Sequence, residues 1–161
     1  MAERCMGCGG LFPESDGPTH KYMLSVPGCW QAYGEVLARE YEDALLFSRS
    51  HQLTVDAYAI QHPGESADRR ADQSVWLHFA SLHRILGQGG SQRDSPALLK
   101  KLAGQPFPTP PEPVENYALT VADVAAADIA DHPTMVRQWA EAAYRARRNM
   151  CSEVERLLSS L

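Results

Sequence analysis

The chain has 161 residues, 44% of them hydrophobic, which is enough to bury a core in a single domain. Asp plus Glu number 20 against 15 Lys plus Arg, a net charge of −5 with no basic run, so the footprint of a nucleic-acid binder is missing. No apolar stretch approaches the roughly 20 residues that cross a bilayer, and Met1 to Gly10 holds no secretory-type apolar segment. These features predict a cytoplasmic protein without membrane or nucleic-acid partners, in which four cysteines and six histidines are the unusual chemical resource.

Cys5 and Cys8 stand in Cys-Met-Gly-Cys, followed by Gly9 and Gly10. Two thiolates two residues apart, with glycines to turn the backbone, make half of a tetrahedral zinc site. A disulfide framework fits a reducing compartment poorly, and a redox CxxC lacks the βαβ pattern that would surround it. His20 and Cys29, both in turn-rich sequence, are the nearest candidates for the other half, with His51 or His62 as replacements for either. A Cys5, Cys8, His20, Cys29 zinc site would staple residues 1–28, an arm with too few apolar residues to fold alone. Cys151 falls within a helical stretch and reads as a packing residue.

Residues Cys29 to Phe47 read as a helix, with Trp30, Tyr33, Leu37, Tyr41 and Ala44 on one apolar face. A second helix is expected over Gln52 to His62, stopped by Pro63 and Gly64, and Glu65 to Asp72 as a polar loop. The third, near Gln73 to Gly87, carries Val75, His78, Phe79, Leu82 and Leu86 on one stripe, with His83 at its edge and expected at the surface. Ser95 and Pro96 open a short helix through Leu102.

Five prolines between Gln105 and Pro113 force an extended strap. Thr120 and Asp123 open a short helix through Asp131, and Pro133 starts the longest one. Val136, Ala140, Ala143, Arg147, Met150, Val154, Leu157 and Leu161 trace its stripe over roughly 25 residues, or about 38 Å. Arg145, Arg147 and Arg148 are interleaved with glutamates and suggest a solvated face. Trp30, Trp76 and Trp139 read as core anchors with one polar edge. The expected architecture over 29–161 is an all-α helical bundle, completed by the irregular, zinc-stapled arm and the Pro-rich strap.

A second chemical site is conceivable in the bundle. On one helix His51 and His62 would be separated by roughly 16 Å, so they cannot ligate the same ion unless the helix starts after His51. Asp56, His62, His78 and His132 are then the residues of a metal-dependent, hydrolytic alternative, converging between helices. His78 would be a ligand or general base facing Asp56 or His62. The first reading needs only the N-terminal zinc, with the body offering a surface to a small-molecule or protein partner.

Several motifs together resemble a small bacterial family described as a domain of unknown function. They are Cys5-x-x-Cys8-Gly9, Gly17-Pro-Thr-His20-x-Tyr22, Pro27-Gly-Cys-Trp30 and the run from His51 to Gly64. The resemblance extends through Ser74 to His78, Leu119 to Val124 and His132 to Ala140. It implies that Cys5, Cys8, His20, Cys29, His51, Asp56, His62, His78 and His132 are family positions, and it implies no activity. A histidine expected late in the last helix of related chains is absent around Asn149 to Cys151.

Overall fold

The computed structural model describes residues 1–65 and 67–161. The expected loop over Glu65 to Asp72 includes Ser66, which lies outside the described residues; from Arg69 onward the chain is already helical.

The arm is more ordered than its composition suggests. β1 (Ala2–Arg4) and β2 (Leu11–Pro13) pair antiparallel, Glu3 opposite Phe12, and only Phe12 turns its side chain into the core. The turn between them is the CxxC loop. It is closed by Cys5 N–H donating to Gly10 O at 2.8 Å and Gly9 N–H donating to Cys5 O at 3.0 Å. Gly9 supplies the left-handed conformation that the closure requires, with φ +78°.

α1 (Pro27–Glu42) starts on Pro27, whose missing N–H costs nothing in a first turn. It does not run on to Phe47. Asp43 leaves the helix at φ −138° and accepts from Leu45 N–H and Leu46 N–H, so it caps α2 (Ala44–Gln61). The second helix therefore begins eight residues before the expected Gln52. The buried stripe of α1 is Cys29, Tyr33, Val36 and Glu40; Tyr41 and Ala44, expected inside, are exposed.

α2 is the central helix. It packs against α1 and, most extensively, against α6 (His132–Ala146) and α3 (Arg69–Leu82). From Leu53 to Gln61 every residue but Val55 is buried, so its polar side chains must find partners inside the protein. Gln61 does so: its Oε1 accepts from Trp139 Nε1 at 2.9 Å and its Nε2 donates to Leu119 O.

Beyond α3 the chain makes one π-type turn, His83–Gly87, then α4 (Ser95–Leu102), which ends where expected but takes Asp94 as its N-cap, so that Ser95, expected as the cap, is already helical. The Pro-rich strap has no helix or strand and is held by side chains reaching out to its carbonyls, Trp76 Nε1 to Pro108 O and Asn149 Nδ2 to Glu112 O. α5 (Val121–Ala126) opens with the Thr120/Asp123 capping box. It ends five residues before Asp131, where the Arg39 guanidinium takes the carbonyls of Val124, Ala125 and Ala127.

The last long helix divides. α6 stops at Ala146, Arg147 has φ −110° and ψ 24°, a 3₁₀ turn follows, and α7 (Cys151–Ser159) completes the chain. The stripe from Val136 to Leu157 is nevertheless buried throughout, and Leu161 is exposed. Arg147 goes in with its stripe, at 2% exposure, and is not part of a solvated basic face. His83 is likewise buried, against the expectation of a surface position. Side chains from Cys5 to Leu157 form one hydrophobic cluster, with Trp139, Tyr58 and Phe79 among its largest members. Among the described residues no helix is long and apolar enough to cross a membrane.

Candidate metal centre

Three segments converge at the base of the hairpin. The CxxC turn brings Cys5 and Cys8, the first turn of α1 brings Cys29, and the residue after α2 is His62. Their three sulfurs and one imidazole nitrogen all lie within 4.8 Å of one another, and all four residues are buried. Cys8 Sγ and Cys29 Sγ are 3.9 Å apart, too far for a disulfide. Ligands at about 2.3 Å from a tetrahedral zinc would be separated by about 3.8 Å, so the spacing fits a shared ion. His62 Nε2 stands 3.3 Å from Cys29 Sγ, near the corresponding S–N edge of about 3.6 Å.

The imidazole is oriented for ligation. His62 Nδ1 lies 2.7 Å from Tyr58 O, and a carbonyl oxygen only accepts, so Nδ1 carries the proton. Nε2 then faces the sulfurs with its lone pair, the arrangement in which a backbone carbonyl positions a metal-binding histidine. The ring also stacks on Tyr58, 3.9 Å between centroids. The Tyr58 hydroxyl is 3.4 Å from Cys29 Sγ, and burial pushes its pKa well up, so it stays a proton donor to that sulfur. Gly10 N–H donates to Cys8 Sγ at 3.4 Å.

The thiols constrain one another. Hydrogen bonds from Cys29 and then Cys8 hold the Cys5 thiol far below its ordinary value. The same contacts with Cys5 and Cys8 drive Cys29 strongly upward. Three buried sulfurs this close can all ionise only around a cation.

The hairpin reaches α2 through Gly7. A Cβ there would meet His62 Cδ2 at 2.5 Å, Leu24 O at 2.8 Å and Gln61 O at 2.9 Å, so only glycine admits the close approach.

The sequence model of a family of unknown function, DUF5946, matches residues 3–148. The chain belongs to this family. No curated protein and no solved structure matches it. The stretch that matches DUF5946 takes in the whole Cys3His group and ends one residue past the α6 break.

His20 stands outside that group. Its Nδ1 accepts from Tyr22 N–H at 3.2 Å, and its ring packs against Tyr22 and Trp30. The imidazole nearest in sequence is thus absent from the cluster, and the one at the end of α2 is present. Asp56, His62, His78 and His132 do not come together. Asp56 accepts from Ser81 Oγ at 2.5 Å and from Gln52 Nε2 at 2.8 Å, with His78 Nδ1 2.8 Å away. His132 belongs to another group, centred on a carboxylate to which the sequence drew no attention. Glu40, fully buried, accepts from Thr54 Oγ1 at 2.5 Å, His132 Nε2 at 2.8 Å and His51 Nδ1 at 3.0 Å. The Cys29, Tyr33, Val36, Glu40 spacing of 4, 3 and 4 residues is the signal that places Glu40 inside.

Proposed function

We propose that Cys5, Cys8, Cys29 and His62 bind one zinc ion and that its role is structural, tying the hairpin to the start of the first helix and the end of the second. The observation that carries this is the buried, mutually close set of three sulfurs and one lone-pair-bearing imidazole nitrogen. Three thiolates and an imidazole suit zinc among the common divalent ions. Four protein ligands close the coordination sphere, and catalytic zinc keeps a position open. Asp56 bonds with His78 and His132 bonds with Glu40, two separate groups among the described residues, which favours the structural reading over the hydrolytic one. The protein is then read as a zinc-stapled helical scaffold presenting a ligand or partner surface.

The test is metal analysis of the full chain purified without chelator. One zinc per chain is expected, with content falling towards zero in Cys29→Ser and in the Cys5→Ser, Cys8→Ser double variant. Cobalt loaded in its place should give the visible spectrum of a tetrahedral thiolate site. Protein free of metal, or metal that survives the double substitution, overturns the reading.

A further inference from the structure

Arg147 is the one residue of the broken helix whose burial the scaffold reading leaves unexplained. It is 98% withdrawn from solvent, since its exposure is 2%. Its Nε donates to Ile60 O at 2.7 Å and to Tyr117 Oη at 2.9 Å, and its Nη1 donates to Pro111 O at 2.9 Å, with Met150 Sδ 3.8 Å away. These bonds clamp the strap onto the end of α2. Among the described residues no carboxylate pairs with this guanidinium, and its hydrogen bonds run through Nε and Nη1, which leaves Nη2 uncommitted.

A buried charge is ordinarily paired, because its desolvation otherwise goes uncompensated. Ile60 O belongs to the last turn of α2, whose carbonyls amount to roughly half a negative charge. These neutral oxygens and the helix dipole offset the charge only in part, and no carboxylate completes the pairing.

The uncommitted side of Arg147 borders a cleft of about 950 Å³ between the CxxC turn and the end of the strap. Arg4, Gly9, Val114 and Asn116 also line it. Asn116 is exposed on the wall of the cleft, so its amide can turn to a ligand there. Arg4 adds a second positive charge, its Nη1 tied to Gly9 O at 2.6 Å. Two acids lie on the rim; the Glu115 carboxylate is paired with Arg148, and Glu112 is exposed, so its carboxylate can stay in solvent when an anion enters. The volume is that of a small-molecule site, in which a few polar groups orient the ligand.

We infer that this cleft binds a small organic anion, whose carboxylate or phosphate group is held by Arg147 Nη2 and the Asn116 amide. A guanidinium whose other nitrogens are already fixed is preorganised for such an oxyanion, with little entropy left to lose on binding. The inference stands on Arg147 and the cleft and does not need the ion beneath.

The experiment titrates the full, metal-loaded chain with inorganic phosphate and, separately, with acetate, at constant ionic strength set by sodium chloride. The ¹H–¹⁵N signals of the Asn116 side chain and Arg147 Nε are followed. Saturable shifts with at least one anion are expected, and the stronger one tells phosphate from carboxylate recognition. Arg147→Gln should weaken binding at least tenfold. Val114→Trp, a change at an exposed wall residue that fills the cleft and leaves Arg147 intact, should do the same and serves if the first variant fails to fold. Linear, non-saturating shifts with both anions overturn the inference, as does binding of unchanged strength in Val114→Trp.

Discussion

The Nδ1–H of His62 donates to the carbonyl of Tyr58 one turn earlier, and this bond leaves Nε2 as the only ring atom able to meet Cys29. The proposed ligation therefore depends on where α2 ends. Removing the imidazole by His62→Ala should abolish most metal retention, whereas His20→Ala, outside the cluster, should leave zinc content at the wild-type level. Metal analysis of the two variants side by side checks the assignment, and the opposite ranking would sink it.

Gly7 is the contact point between hairpin and helix. A methyl group at this position would stand 2.5 Å from His62 Cδ2 and under 3 Å from two carbonyl oxygens, so Gly7→Ala must push the turn away from α2. A loss of about 1–3 kcal/mol is expected from such overpacking, together with weaker metal retention. Chelator competition and denaturant titration measure the two effects separately.

Glu40 holds three donors inside the protein, two of them, Thr54 and His132, fully buried. Glu40→Leu deprives both of an acceptor and should cost about 3 kcal/mol. Glu40→Gln should cost about 1 kcal/mol, since its amide oxygen can still serve Thr54 and His132. Its NH₂ would then face the partly exposed His51, which can present a lone pair by changing tautomer. Urea unfolding of both variants tests the order; equal losses would mean that an amide oxygen does not replace the carboxylate and that its negative charge is required.

His83 gives the fold a pH dependence of known sign. Its Nδ1 lies 2.8 Å from the Tyr144 hydroxyl, and burial pushes its pKa below 6.5, with Glu155 opposing the shift. The folded chain thus holds this ring neutral where the unfolded chain begins to protonate it. Its stabilising contribution is present above pH 6.5 and declines as the pH falls from there through the lowered value. Thermal melts between pH 7.5 and pH 5.5, at roughly half-unit steps, should show a shallower loss of Tm in His83→Gln than in the wild type. Parallel curves would exclude His83 as the titrating group.

The sequence carried its local chemistry well and its long-range pairing poorly. The CxxC turn with its glycines, the Ser95–Leu102 helix and the Thr120/Asp123 cap are each written in adjacent residues, and all three are present. The fourth partner of the thiols is 33 residues beyond Cys29 along the chain. Only the antiparallel return of α2 along α1 brings it back, so proximity in sequence favoured His20. Periodicity gave little help on α2, because a helix buried on every side has no polar face to mark its orientation. Arg147 was both a member of the final stripe and part of a charged cluster, and the stripe proved the better guide. What decided it was the set of carbonyls at Ile60 and Pro111, on elements far away in the chain.

The position of the four proposed ligands has a consequence for biogenesis. Cys5, Cys8, Cys29 and His62 all precede residue 63, while α6, the main cover of α2, begins only at His132. If the four residues bind an ion as proposed, a nascent chain can capture it before the covering helix has been synthesised. Coordination would pin the hairpin and the first two helices in register during that interval, when the apolar flank of α2 is still open to the solvent and to misassembly.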